Sequence, residues 1–193
     1  MKGICMHIHI SDLELYLRCL RAYKLHAVDG VEPQHKTLSL CKAKTAKRVI
    51  AELHSGIKPL AEFTSVEIEK LCEDVWNQEI SDPSVDKTEL QEIAIQAKPE
   101  TKSKPATPAI TKAEKALDEI KTWVTGYAKL EKDATVLYSN VYFEDEIGDC
   151  TFAGHIDILR KKEDSIEIVM LKTGSQPPGQ NSESLQTMRT ASR

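Results

Sequence analysis

The sequence lacks the marks of several protein classes. Its five cysteines (Cys5, Cys19, Cys41, Cys72 and Cys150) are odd in number and widely spaced, with no C-x-x-C. That pattern argues against a disulfide framework and against a self-contained zinc site. No apolar run approaches the ~20 residues that a helix needs to span a bilayer, so no membrane partner is expected. The opening MKGICMHIHISD carries one lysine, a short mixed stretch and no small-residue cleavage site. It is a poor signal peptide, and the expected location is cytoplasmic. No internal repeat is visible. A large excess of basic residues is missing too: the formal net charge is −4 over 193 residues.

What is present is uneven. Residues 1–58 carry 10 Lys and Arg against 5 Asp and Glu, whereas residues 59–100 carry 3 against 11. A basic face can bind phosphate on a protein that is acidic overall. Two differently solvated helical surfaces would give the same counts.

Helical periodicity comes first along the chain. ISDLELYLRCLRAYKLHAV predicts a helix with Ser11 as N-cap, Glu14 completing a capping box, and a buried stripe of Leu13, Tyr16, Leu17, Leu20 and Tyr23. LSLCKAKTAKRVIAELHSG predicts a second, basic helix. Its apolar face is Ala43, Ala46, Val49, Ile50 and Leu53, and Gly56 is its stop. A third begins at the capping box of Thr64 and Glu67, with Ile68, Leu71, Cys72 and Val75 inward. Residues 96–111, rich in Pro, Lys and Thr, predict a flexible surface insertion within one domain spanning 1–193. A further helix opens on Thr111 and Glu114 and carries Ala113, Ala116, Leu117, Ile120, Val124 and Tyr127.

The period then changes. TVLYSNVYF, CTFAGHIDIL and IEIVMLK read as three strands of an antiparallel meander, with RKKEDS as the second connection. ESLQTMRTASR begins a last helix, in which the sequence stops; this reads as a fragment or a decayed gene product. The fold class is α/β (α+β): helices, a small mixed or antiparallel sheet, and a final helix.

The strands hold the candidate chemistry. Alternate residues share a strand face, which puts His155 with Asp157 and Met170 with Lys172. Metal-assisted hydrolysis of a phosphodiester needs carboxylates to hold a divalent ion, and a lysine helps orient water or offset developing charge. Asp157 and Lys172 meet part of that need. The position two residues before the lysine is Met170, whose thioether does not suit a hard cation. Taken alone, an Asp followed later by a Lys is a weak signal.

The order of partial motifs along the chain is more specific. Ser11, Cys19, Arg21 and Tyr23 in the first helix, the basic second helix, FAGHIDIL, IEIVMLKTGSQPP and SLQTMRTAS together resemble the RecB-like branch of the PD-(D/E)XK nuclease superfamily. Its members include helicase–nuclease recombination complexes and CRISPR-associated RecB-type exonucleases. The resemblance implies a restriction-endonuclease-like core, a DNA partner, a helicase or recombination subunit beside it, and Mg²⁺ or Mn²⁺ in active members. It implies catalytic roles for Asp157, Lys172 and Gln186, with Asp157 also a metal ligand. Some relatives hold an iron–sulfur cluster through one cysteine of the first helix and three near the C-terminus. Cys19 matches the first, but no cysteine follows Cys150, so no cluster is expected and Cys19 is expected as a partly buried core residue.

The departures from the family pattern fall on its metal-binding positions. Lys47 replaces a histidine and Ala43 the glycine before it. Asn140 takes the place of a glutamate expected near the start of the sheet, Met170 replaces the second acid, and Thr190 replaces a tyrosine. The expected function is therefore a DNA-binding pseudo-nuclease, with Arg18, Arg21, Lys44, Lys47 and Arg48 contacting phosphate. Two alternatives stand beside it. One is an active nuclease with a relocated carboxylate, Glu183 first. The other is a protein-interaction module using the acidic stretch 59–100. Glu144, Glu146 and His155 are further but weaker donors, and His7 and His9 read as exposed residues of an edge strand.

Overall fold

The computed structural model describes residues 6–31, 35–95, 109–131, 135–162 and 165–171. Within them three helices make the core: α3 (Leu38–Leu53), α4 (Ser65–Ser81) and α6 (Lys112–Leu130). Each starts where the sequence supplies a cap. Thr37 Oγ1 accepts from the Leu40 N–H, and Thr64–Glu67 and Thr111–Glu114 close complete capping boxes. Gly56, at φ 83°, turns the chain away after α3 in the left-handed region that glycine adopts without steric cost. Cys41, Ala46, Val49, Ile50 and Leu53 of α3 pack against Ile68, Cys72, Val75 and Trp76 of α4 and Ala116, Ile120, Val124 and Ala128 of α6. Leu71, Ala113, Leu117 and Tyr127 pack at the margin of this core, Ala43 is half-buried, and Trp76 extends the α4 stripe past the residues expected.

Four strands form the main sheet. β4 (Thr135–Ile147) and β5 (Cys150–Lys162) make a long antiparallel hairpin through Gly148–Asp149, and β6 (Ser165–Val169) returns antiparallel along β5. The expected meander is present, but β4 and β5 are longer than TVLYSNVYF and CTFAGHIDIL suggested, and β6 stops at Val169, short of the expected IEIVMLK. β1 (Met6–His9) adds a parallel pairing, Met6 to His9 against Cys150 to Ala153, and makes the sheet mixed. β1 and β6 thus share one side of β5 end to end, and residues 154–157 lie between them. The sheet meets the helical core through Ile158, with Val136, Val169 and Leu171 around it. This is a mixed α/β architecture consistent with a restriction-endonuclease-like fold. Among the described residues no helix is long and apolar enough to cross a membrane.

Several expectations are corrected. The first helix does not start at Ser11. α1 spans Ile10–Arg18, and its N-cap is His9, whose Nδ1 accepts from the Ser11 N–H. Nor is it continuous: Cys19 is extended (φ −158°, ψ 101°), and the chain resumes as α2 (Leu20–Tyr23) and a π-helical turn, Lys24–Val28. Its stripe is not buried, for Leu13, Tyr16, Leu17 and Leu20 are all exposed, and so is Cys19. Periodicity identified an amphipathic helix, but no described element packs over its apolar side. The 96–111 insertion is also too long. Ile110–Thr111 is β3 and pairs with β2 (Ile93–Ile95), just after the short α5 (Lys87–Gln91). Residues 96–108 and the last expected helix lie outside the described residues.

Candidate functional site

Register brings the motif positions together. Ser139 pairs with Ile158 and Val141 with Ile156, and between these two pairs stand Asn140 and Asp157. On the other side of β5, Val169 pairs with Ile158 as the last pair of β6, and Met170 follows just past the end of that strand. Asn140 and Asp157 therefore fall side by side on β4 and β5, with Met170 next to the end of β6. Gly154, three residues before Asp157, permits close packing here. A methyl group at that position would stand 3.1 Å from Cε1 of Phe143 and 3.4 Å from Cδ1 of Ile10, so the first would have to move.

Asn140 carries local strain. At φ 51° it is the one non-glycine residue with positive φ among the described residues. Asparagine tolerates this conformation better than most side chains. Its neighbour Ser139 donates from Oγ to the Ala51 carbonyl at 3.2 Å, tying β4 to the end of α3.

Asp157 is fully engaged by the protein. Lys47 Nζ, reaching from α3, stands 2.8 Å from Oδ1, and the Leu171 N–H donates to Oδ2 at 2.7 Å. The Asp157 side chain is 8% exposed and that of Lys47 is 41% exposed. One oxygen thus faces a full positive charge and the other a backbone dipole. Strand alternation suggested His155 as a companion of Asp157, but the two keep different company. His155 lies against Tyr142, with ring centroids 5.3 Å apart, and His9 is 6.3 Å away.

This donor set does not suit a divalent hard cation. Mg²⁺ seeks near-octahedral oxygen coordination and sheds its waters reluctantly. Here the carboxylate oxygens already have partners, Met170 brings sulfur, and Asn140 brings only an exposed amide. Among the described residues no group of three His, Cys, Asp or Glu side chains converges on a common point.

The other expected residues scatter. Arg18, Arg21 and Lys44 are exposed and make no ion pair among the described residues. Arg48 Nε is 3.1 Å from Glu52 on the same helix. Glu144 and Glu146 line an open acidic surface with Asp145 and Thr151 toward the β4–β5 turn, away from Asp157. Glu144 accepts from the Tyr142 hydroxyl at 2.9 Å and lies 3.9 Å from His7. His7 is exposed on edge strand β1, as expected, whereas His9 is half-buried. Lys172, Glu183, Gln186 and Thr190 lie outside the described residues. Sequence reasoning missed the Leu171 N–H, because a backbone donor leaves no trace in residue type. It also missed the left-handed backbone of Asn140, for which the residue type was a weak available hint.

A family model described as the PD-(D/E)XK nuclease superfamily matches residues 7–189, a stretch that includes Lys47, Asn140, Asp157 and Met170. No curated protein matches the chain.

Proposed function

Because the chain belongs to the PD-(D/E)XK nuclease superfamily, we propose that it is a nuclease-like domain of the RecB-like branch, 1–193 in one unit, that binds DNA with impaired cleavage. Nucleases of this superfamily generally use Mg²⁺ or Mn²⁺. The observation that carries the reading is the Lys47 ammonium seated 2.8 Å from Asp157. An ammonium neutralises a carboxylate much as a metal ion does. It has no coordination site to offer a water molecule, and it cannot lower that water's pKa or polarise a phosphoryl oxygen. The charge role of the metal is kept and its Lewis-acid role is lost.

Phosphate contact falls to cations without a close acidic partner. Arg18, Arg21 and Lys44 are the first of these, and Arg48 is the next because an exposed pair such as Arg48–Glu52 is weak. Lys172 and Gln186 are retained family positions, and Glu183 is where a relocated carboxylate would be sought. The setting is DNA processing or repair in the cytoplasm, beside a helicase or recombination subunit.

The test is fluorescence anisotropy with a labelled DNA duplex across a salt series. Binding that weakens steeply with salt is expected, because displaced counterions set the slope at about −0.9 per neutralised phosphate. The triple variant R18A/R21A/K44A should flatten that slope by about 2 to 3. Binding that ignores salt, or no binding at 50 mM salt, overturns the proposal.

A further inference from the structure

From the same contact we infer a second role for Asp157: it acts as a brake on DNA affinity, holding the Lys47 charge that would otherwise engage a phosphate. This rests on the DNA-binding reading above and deepens it. The two side chains are 2.8 Å apart, and the Asp157 carboxylate is fixed from its other side by the Leu171 N–H. The carboxylate therefore cannot swing away without giving up that bond. The Lys47 side chain is 41% exposed, and its charge is offset at short range by a carboxylate side chain that is 8% exposed. A phosphate approaching this point meets a dipole of roughly zero net charge. Asp157 thus acts through Lys47, and the pair sets how strongly the site draws the DNA backbone.

The consequence runs against the ordinary expectation for a metal-binding acid in a nuclease fold. Asp157→Asn keeps an amide oxygen to accept from Leu171 and is close to isosteric, but it frees the Lys47 charge. One added phosphate contact should steepen the salt slope by about 0.9 and tighten binding about five- to tenfold at 0.1 M salt. Lys47→Ala should do the opposite, leaving an unbalanced carboxylate that repels the backbone. The double variant K47A/D157N removes both charges and should return close to the parent slope. A phosphate contact made directly by Lys47 would instead leave the double variant shallower than the parent by about 0.9.

The experiment is the salt series above, run on the parent, D157N, K47A and the double variant, each checked for a cooperative thermal melt. D157N carries the test by itself, since it preserves the hydrogen bond to Leu171. A steeper slope and tighter binding for D157N support the brake. An unchanged or weaker D157N, or a double variant with the shallow slope, overturns it while DNA binding by the parent stands. A parent that binds no DNA sinks both readings, and the two failures are told apart by the parent curve alone.

Discussion

Removing the Lys47 side chain should cost stability far beyond what a surface lysine is worth. Breaking a buried ion pair by deleting one partner costs about 3–5 kcal/mol, whereas an exposed pair is worth about 0–1. The pair here is asymmetric: the Asp157 side chain is 8% exposed and Lys47 41% exposed. Solvent reaches the Lys47 side chain but scarcely the Asp157 one, so the cost of stranding Asp157 lies between the limits, at about 2 kcal/mol. The Leu171 N–H remains and offsets part of the loss, and alanine in α3 returns only a few tenths of a kcal/mol in helix propensity. For a chain of this size about 2–4 °C of melting temperature accompanies each kcal/mol, so Lys47→Ala should melt about 4–8 °C below the parent. Asp157→Asn leaves no buried charge behind and should stay within about 1 kcal/mol of the parent. Far-UV circular dichroism melts, with urea unfolding as a second measure, read both. A Lys47→Ala variant that melts within about 2 °C of the parent would refute the claim that the carboxylate depends on this ammonium.

Two other predictions concern the helical half. Glu67 is held at about 2 by the Lys58 ammonium, with the Thr64 backbone and hydroxyl adding to it. Its folded-state value lies below the ordinary one, so its contribution is present above about pH 4.3 and fades as pH falls toward 2. Urea unfolding at pH 5 and pH 3 should show a smaller acid loss for Glu67→Gln than for the parent, and parallel losses would contradict the assignment. Burial pushes the Cys72 thiol up to about 11 and raises Cys41 as well, and both thiols are fully buried, whereas Cys19 is exposed. Alkylation of the native protein near neutral pH should modify Cys19 while Cys41 and Cys72 wait for denaturant, because burial denies them both access and the thiolate form. Rapid labelling of Cys72 in the folded state would show that the core is looser than described.

The parts legible in the sequence are those where local chemistry and tertiary packing agree. Thr64–Glu67 and Thr111–Glu114 announce helix starts, and the stripes behind them are largely the stripes that pack. Ser11 and Glu14 have the same pattern, but the cap falls to His9, one residue before the helix. A capping box is a matter of side-chain reach, and an imidazole at the end of β1 reached the Ser11 amide instead. The leucines of α1 show the limit of periodicity, which marks an apolar face without saying what covers it. At the site, motif spacing picked out Asp157, Met170, Asn140 and Lys47 separately. Strand register sets Asn140 beside Asp157, Met170 follows the last pair of β6, and the reach of one lysine from α3 joins Lys47 to Asp157. Those relations are tertiary, and no spacing rule contains them.

The most direct measurement is cleavage. Labelled single- and double-stranded DNA should be incubated with the folded protein in Mg²⁺ and then Mn²⁺, beside an Asp157→Ala control. The account predicts intact substrate in both metals from a protein that binds the same DNA. Metal-dependent cutting that disappears in Asp157→Ala would contradict it, and would send the search for the missing ligand to Glu183.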